Sequence, residues 1–111
     1  MSTVWIVKDK KRYNSATQQR ESIYNFEAAK EFGELRFLLD DKDCILAQQP
    51  VINKLKRSLF EFKKEDSLLL VGDGALIAAT AIIVIQINQR ELPILFFDKF
   101  AAIYYRKILK L

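Results

Sequence analysis

Apolar residues along this chain come in short blocks set apart by charge, and each block has its own spacing. Thr3-Val4-Trp5-Ile6-Val7 is β-branched and aromatic and ends in Lys8-Asp9-Lys10, which predicts a strand. Residues 8–19 are polar and read as a loop. Ile23, Phe26, Ala29 and Phe32 then recur, with Gly33 placed as a helix C-cap, so a helix is expected over 21–32. Glu34-Leu35-Arg36-Phe37-Leu38-Leu39 predicts a second strand, closed by Asp40-Asp41-Lys42-Asp43. Pro50 stands where the next helix can begin. Val51, Ile52, Leu55, Leu59 and Phe62 follow at spacings of three and four, with Lys54, Lys56, Arg57 and Lys63 on other faces. That is an amphipathic helix, basic outside.

Ser67-Leu68-Leu69-Leu70-Val71 is a continuous apolar run, as expected of a strand buried on both faces. Gly72-Asp73-Gly74 breaks it. Residues 75–87 are apolar nearly all round and predict a buried helix, although Ile82-Ile83-Val84-Ile85 lowers its helix propensity. Residues 68–87 have the length of a membrane span, roughly 20 residues. The Gly-Asp-Gly break favours a strand followed by a buried helix, and no membrane association is expected. Pro93-Ile94-Leu95-Phe96-Phe97 predicts a fourth strand, closed by Asp98. The last segment fits two patterns. Phe100, Ile103, Tyr104, Ile108 and Leu111 form a helical stripe, whereas Tyr105, Lys107, Leu109 and Leu111 alternate with Tyr104, Arg106, Ile108 and Lys110 as in a strand.

Strands that alternate with helices argue for an α/β fold. A mostly parallel four-stranded sheet of order 2-1-3-4 with three helices is expected, formed by residues 1–111 as a single domain. Half of the 111 residues are hydrophobic, so a core can form without disulfides or metals. There is no histidine, and Cys44 is the only cysteine. An intrachain disulfide, a Cys/His zinc site within one chain and every mechanism with a histidine base are thereby excluded. A reducing compartment is the expectation from the same count, and because charge follows the first apolar block instead of preceding it, no signal peptide is expected.

Charge changes the picture further. Residues 1–20 carry net +4, residues 21–47 carry −4, and residues 99–111 carry Lys99, Arg106, Lys107 and Lys110 with no acid. Such asymmetry implies a charged partner. Three constellations are candidates for chemistry. Gly72-Asp73-Gly74 joins a strand to a helix, where free N–H groups suit phosphate. It is only a Gly-x-Gly, without the third glycine or the Walker lysine, and Asp73 reads more simply as a helix cap. Asp9, Asp40, Asp41, Asp73 and Asp98 each follow a predicted strand, on the edge where open α/β sheets place their sites. They are candidate Mg²⁺ ligands, though Asp is also a routine turn residue. Lys8, Lys10, Lys11 and Arg12 near one end, and Tyr104, Tyr105, Arg106, Lys107 and Lys110 at the other, are candidates for nucleic acid or a protein partner. Cys44 sits behind acids that disfavour a thiolate, so it is not a nucleophile candidate.

Phe26-Glu27-Ala28-Ala29-Lys30-Glu31-Phe32-Gly33-Glu34-Leu35-Arg36-Phe37-Leu38, Leu68-Leu69-Leu70-Val71-Gly72-Asp73-Gly74-Ala75-Leu76-Ile77 and Leu95-Phe96-Phe97-Asp98-Lys99 with Tyr104-Tyr105 resemble elements of small proteins of tailed bacteriophages. Gly74 stands where those carry proline, and Phe97 where they carry tryptophan. The resemblance implies a Rossmann-like sandwich ending in a β-hairpin, with residues 98–102 as its turn. It implies no activity. The expectation is a non-enzymatic viral accessory protein in the host cytoplasm that needs no cofactor and binds a host or viral protein. Self-association through the edge hairpin is a further expectation. The alternatives are a nucleic-acid-binding protein of phage replication and an Mg²⁺-dependent enzyme using the strand-end carboxylates.

Overall fold

In the computed structural model, which describes residues 2–9, 11–22 and 26–111, the first apolar block is the centre of a sheet. Strand β1 (Thr3–Lys8) pairs in parallel with β4 (Glu34–Leu39) on one side and β5 (Ser67–Leu69) on the other. β5 pairs in parallel with β6 (Glu91–Asp98), and β6 pairs antiparallel with β7 (Ile103–Lys110). The order is β4-β1-β5-β6-β7. The expected order and the antiparallel C-terminal hairpin are both present. A central parallel strand is buried on both faces, which is why Val4, Trp5, Ile6 and Val7 are all apolar.

The segment 8–32 differs from its expectation. Lys11–Asn14 (β2) and Gln19–Ser22 (β3) form a separate two-stranded hairpin where the polar run predicts a loop. Its turn is set by Asn14, whose side chain accepts from the Ala16 N–H, and by Gln18 at φ 57°. The expected helix over 21–32 is a shorter 3₁₀ helix, Glu27–Phe32. The reason lies in the spacing: Phe26, Ala29 and Phe32 are three apart, the repeat of a 3₁₀ helix. Ala29 is buried and Phe26 and Phe32 pack beside it against β1 and β4. Gly33 closes the helix at φ 144°, where a Cβ would run into the Ser2 carbonyl. Ile23, Tyr24 and Asn25 lie outside the described residues.

The opposite face of the sheet carries both α-helices. A short 3₁₀ helix, Ile45–Ala47, leads into α1 (Gln48–Leu59), which buries Val51, Leu55 and Leu59. Pro50 is its third residue, within the first turn, where an N–H has no intrahelical acceptor to lose. α2 (Gly74–Ile87) buries Leu76, Thr80, Ile83 and Val84, with the Thr80 hydroxyl donating to the Leu76 carbonyl. Trp5, Val7, Leu38, Leu68 and Ile94 complete this side of the core. The apolar pattern predicts an α2 buried all round, and it is not: Ile82 and Ile87 are 56% and 51% exposed. It packs on the sheet and on α1, and its outer face meets solvent. No helix among the described residues is long and apolar enough to cross a membrane.

Candidate functional site

The β6–β7 register decides what the hairpin presents. Phe96 stands opposite Tyr105, Asp98 opposite Ile103, and Leu92 opposite Leu109, and residues directly opposite share a face. This is the helix-bearing face. There α1 packs over β4 and α2 over β1 and β6, which leaves the β7 end open. Phe96, Ile103, Tyr105 and Leu109 are each 40–47% exposed. Lys107 is exposed in the same row, and Lys99 and Lys110 flank it. The turn is built locally, since the Asp98 carboxylate accepts from the N–H groups of Phe100 and Ala101, and Ala102 takes φ 55°. It carries Phe100 outward, 95% exposed.

The other face of the hairpin is tied down. Tyr104 is buried against Phe97 at a ring separation of 5.1 Å, and burial pushes its phenol pKa up. Arg106 reaches across β6. Its Nε donates to Ser67 Oγ at 2.8 Å, and Nη2 donates to the carbonyls of Lys64 and Asp66 at 3.0 and 3.1 Å. Arg106 therefore fastens β7 to β5. Of the predicted C-terminal candidates, Tyr105, Lys107 and Lys110 face solvent, whereas Tyr104 and Arg106 serve the fold.

The residue that sequence reading missed is Asp66. It is 2% exposed and accepts three hydrogen bonds, from Thr3 N, Trp5 Nε1 and Lys63 N, at 2.9, 3.0 and 3.0 Å. In Lys63-Lys64-Glu65-Asp66 it looks like one more solvated charge. The available signal was Trp5, because a buried indole N–H needs an acceptor.

The strand-end acids do share one edge of the sheet, since β4, β1, β5 and β6 all run the same way. They are spread along it in strand order, about 5 Å per strand, so Asp40 and Asp98 are too far apart for one ion. Asp9, Asp40 and Asp41 line an open depression of about 450 Å³ together with Phe37, Leu39 and Lys42. Asp40 accepts from the Lys42 N–H at 2.9 Å, which holds its carboxyl below the usual range, and Lys54 lies at 3.5 Å. Asp43 holds Lys54 at 2.6 Å, and that hydrogen bond raises the lysine pKa. Among the described residues no group of three or more acids or cysteines is arranged to hold a metal.

The glycine turn is structural as well. Asp73 is the N-cap of α2, and its carboxylate accepts from the Ala75 N–H at 2.9 Å, in the place an incoming phosphate would need. Gly72 takes φ 126°, and a Cβ there would lie 3.1 Å from the Lys8 carbonyl and Cβ. Gly74 is open to solvent, with no atom within 4 Å of where a methyl group would stand.

Lys8 and Lys110, one from each basic segment, lie at opposite ends of the sheet. Lys8 stands at the far end of β1 and donates to the Asp43 carbonyl at 2.8 Å. Lys110 pairs with Glu91 at the opposite end of the strands, roughly 20 Å away along the strand direction at about 3.3 Å per residue. Lys11 and Arg12 belong to β2, and Lys10 lies outside the described residues.

The fold and this surface define a small α/β protein with a mixed sheet, whose C-terminal hairpin presents an exposed apolar and basic surface. Residues 2–111 match the family described as Phage Pam3 gp32-like protein, and the chain belongs to that family. It is thus a phage protein, in keeping with the resemblance seen in its motifs. No curated protein and no solved structure is significantly similar to it.

Proposed function

We propose that this chain is a small non-enzymatic viral protein that acts in the host cytoplasm by binding another protein through the β6–β7 hairpin. The observation that carries the reading is the open row of Phe96, Ile103, Tyr105 and Leu109 beside Lys107. Half-exposed aromatic and aliphatic side chains on a rigid strand pair are what interface centres are made of, and charge at the margin sets the partner's sign. The partner surface is therefore apolar at its centre and acidic at its rim. An eight-residue outermost strand also offers backbone N–H and C=O groups to an added strand. Residues 1–111 are read as one domain, a Rossmann-like sandwich with the hairpin as its free edge.

The test is an affinity capture from infected-cell lysate, with and without nuclease, comparing wild type with the Tyr105→Ala/Lys107→Glu variant. Both should show the same thermal melt. Wild type should keep its partner after nuclease treatment and the variant should lose it. Release of the partner by nuclease would favour a nucleic-acid ligand instead. Retention by the variant would remove the hairpin from the role.

A further inference from the structure

The two outermost strands of the sheet are β4 and β7, and they differ in both charge and cover. Beside β4 lie exposed acids: Glu31 and Glu34 at its start, Asp40 and Asp41 just past its end. Arg36, within β4, is already ion-paired to Glu61 at 3.3 Å. β7 carries Lys107 and Lys110 toward its end, and Lys99 stands in the turn before its start. The covers are also unequal. α1 lies over β4, whereas the corresponding face of β7 is bare, with Ile103, Tyr105 and Leu109 half exposed.

The geometry points to a second copy of this chain as an occupant of the hairpin edge, with the β4 edge of one molecule added to the β7 edge of the next. This inference rests on the docking role proposed above for the hairpin and names its partner. β7 runs opposite to β6, and β6 runs with β5, β1 and β4, so a sheet continued from β7 into a neighbour's β4 makes an antiparallel ladder. In that ladder Glu31 and Glu34 fall at the Lys107–Lys110 end, and Asp40 and Asp41 fall at the Lys99 end. Both ends are therefore attractive. The neighbour's α1, which lies over its β4, continues the helical layer across the bare face of β7 and covers Tyr105 and Leu109. The isologous alternatives fit worse. An antiparallel β7–β7 pair sets the Lys107–Lys110 end of one strand beside the Lys99 end of the other, a β4–β4 pair sets Glu31 and Glu34 beside Asp40 and Asp41, and like charges facing each other are repulsive. A contact between two different edges is heterologous, and it builds a ring if the rotation closes or an open chain if it does not.

Sedimentation velocity of the purified full chain over a concentration series, at low and high salt, reads the assembly directly. Four proteins are compared: wild type, Glu31→Lys/Glu34→Lys, Lys107→Glu/Lys110→Glu, and the chain carrying all four changes. These positions are solvent-exposed, and circular dichroism melts establish that each protein folds. Wild type should self-associate, less so at high salt. Each double variant, having charges of one sign on both edges at the Lys107–Lys110 end, should associate about tenfold or more weakly. The quadruple variant, with the charges at that end exchanged between the two edges, should return to near the wild-type value, and an equimolar mixture of the two double variants should co-assemble. A wild type that stays monomeric at every concentration in low salt overturns the inference. So does a Glu31→Lys/Glu34→Lys variant that associates like wild type, which would assign the contact to β7 against β7. A monomeric wild type that still captures another protein, and loses it with Tyr105→Ala/Lys107→Glu, would sink the head-to-tail contact while leaving the docking role of the hairpin intact.

Discussion

Replacing Asp66 with alanine removes the acceptor for three donors at once, and the structure sets the expected cost. The carboxylate is buried and serves Trp5 Nε1, Thr3 N and Lys63 N, which between them join the start of β1 to the turn before β5. A buried donor left without a partner costs about 1–3 kcal/mol, and hydrogen bonds to a charged group lie at the upper end of the usual scale. The indole bond is fully buried, whereas the two backbone bonds are partly reached by water, so their share is smaller. The sum expected for Asp66→Ala is about 3 kcal/mol, a large part of the about 5–15 kcal/mol that holds a domain together. Urea unfolding followed by the fluorescence of Trp5, the only tryptophan, and in parallel by far-ultraviolet circular dichroism, measures it. Asp66→Asn keeps the volume but turns an NH₂ toward one of the donors, so it should recover less than half of the loss. Trp5→Phe combined with Asp66→Ala should show a coupling of about 1 kcal/mol, because the two changes delete the same bond. An Asp66→Ala protein within about 0.5 kcal/mol of wild type would refute the reasoning, since that is the range of a surface substitution.

Three further outcomes follow from the turns and the core. Gly74→Pro should stabilise the protein by about 0.4–1 kcal/mol in a thermal melt, because position 74 opens α2, its surroundings are empty, and Asp73 at ψ 138° already has the backbone a following proline requires. Asp73→Ala should cost about 1 kcal/mol through loss of the N-cap, without a change in partner capture. Tyr104 is held neutral by burial, so its contribution is intact below the ordinary tyrosine pKa of 10.0 and is lost as pH rises through its raised value. The phenolate absorbance that disappears with Tyr104→Phe should therefore titrate above 10.0, and a transition below that value would contradict the burial of the ring.

The strands and the two α-helices were legible because their signals are local. Val4-Trp5-Ile6-Val7 has the apolar density of a strand covered on both sides, and Val51, Leu55 and Leu59 have the period of a helix covered on one. The cap at Asp73 and the turn at Asp98 follow from the short side chain of aspartate, which reaches the N–H groups two and three residues on. The 3₁₀ helix is written in the strict three-residue spacing of Phe26, Ala29 and Phe32, which an α-helical period over 21–32 misreads. The β2–β3 hairpin escapes a sequence reading because its residues are polar on both faces, so no alternation marks it.

By itself, the sequence determined the α/β class, the caps and the exclusion of histidine chemistry, since each depends on residue types and on neighbours within a few positions. Only the tertiary structure decided which charges are at work inside the fold and which face a partner. Arg106 and Lys107 are adjacent and equally basic, yet the pleat turns Arg106 across β6 to Ser67 and leaves Lys107 exposed. Asp66 looks like a surface acid until Trp5, 61 positions earlier in the chain, is folded against it. Burial and partnership are properties of a surface closed by distant segments, and nothing within a few residues of Asp66 or Arg106 carries that information.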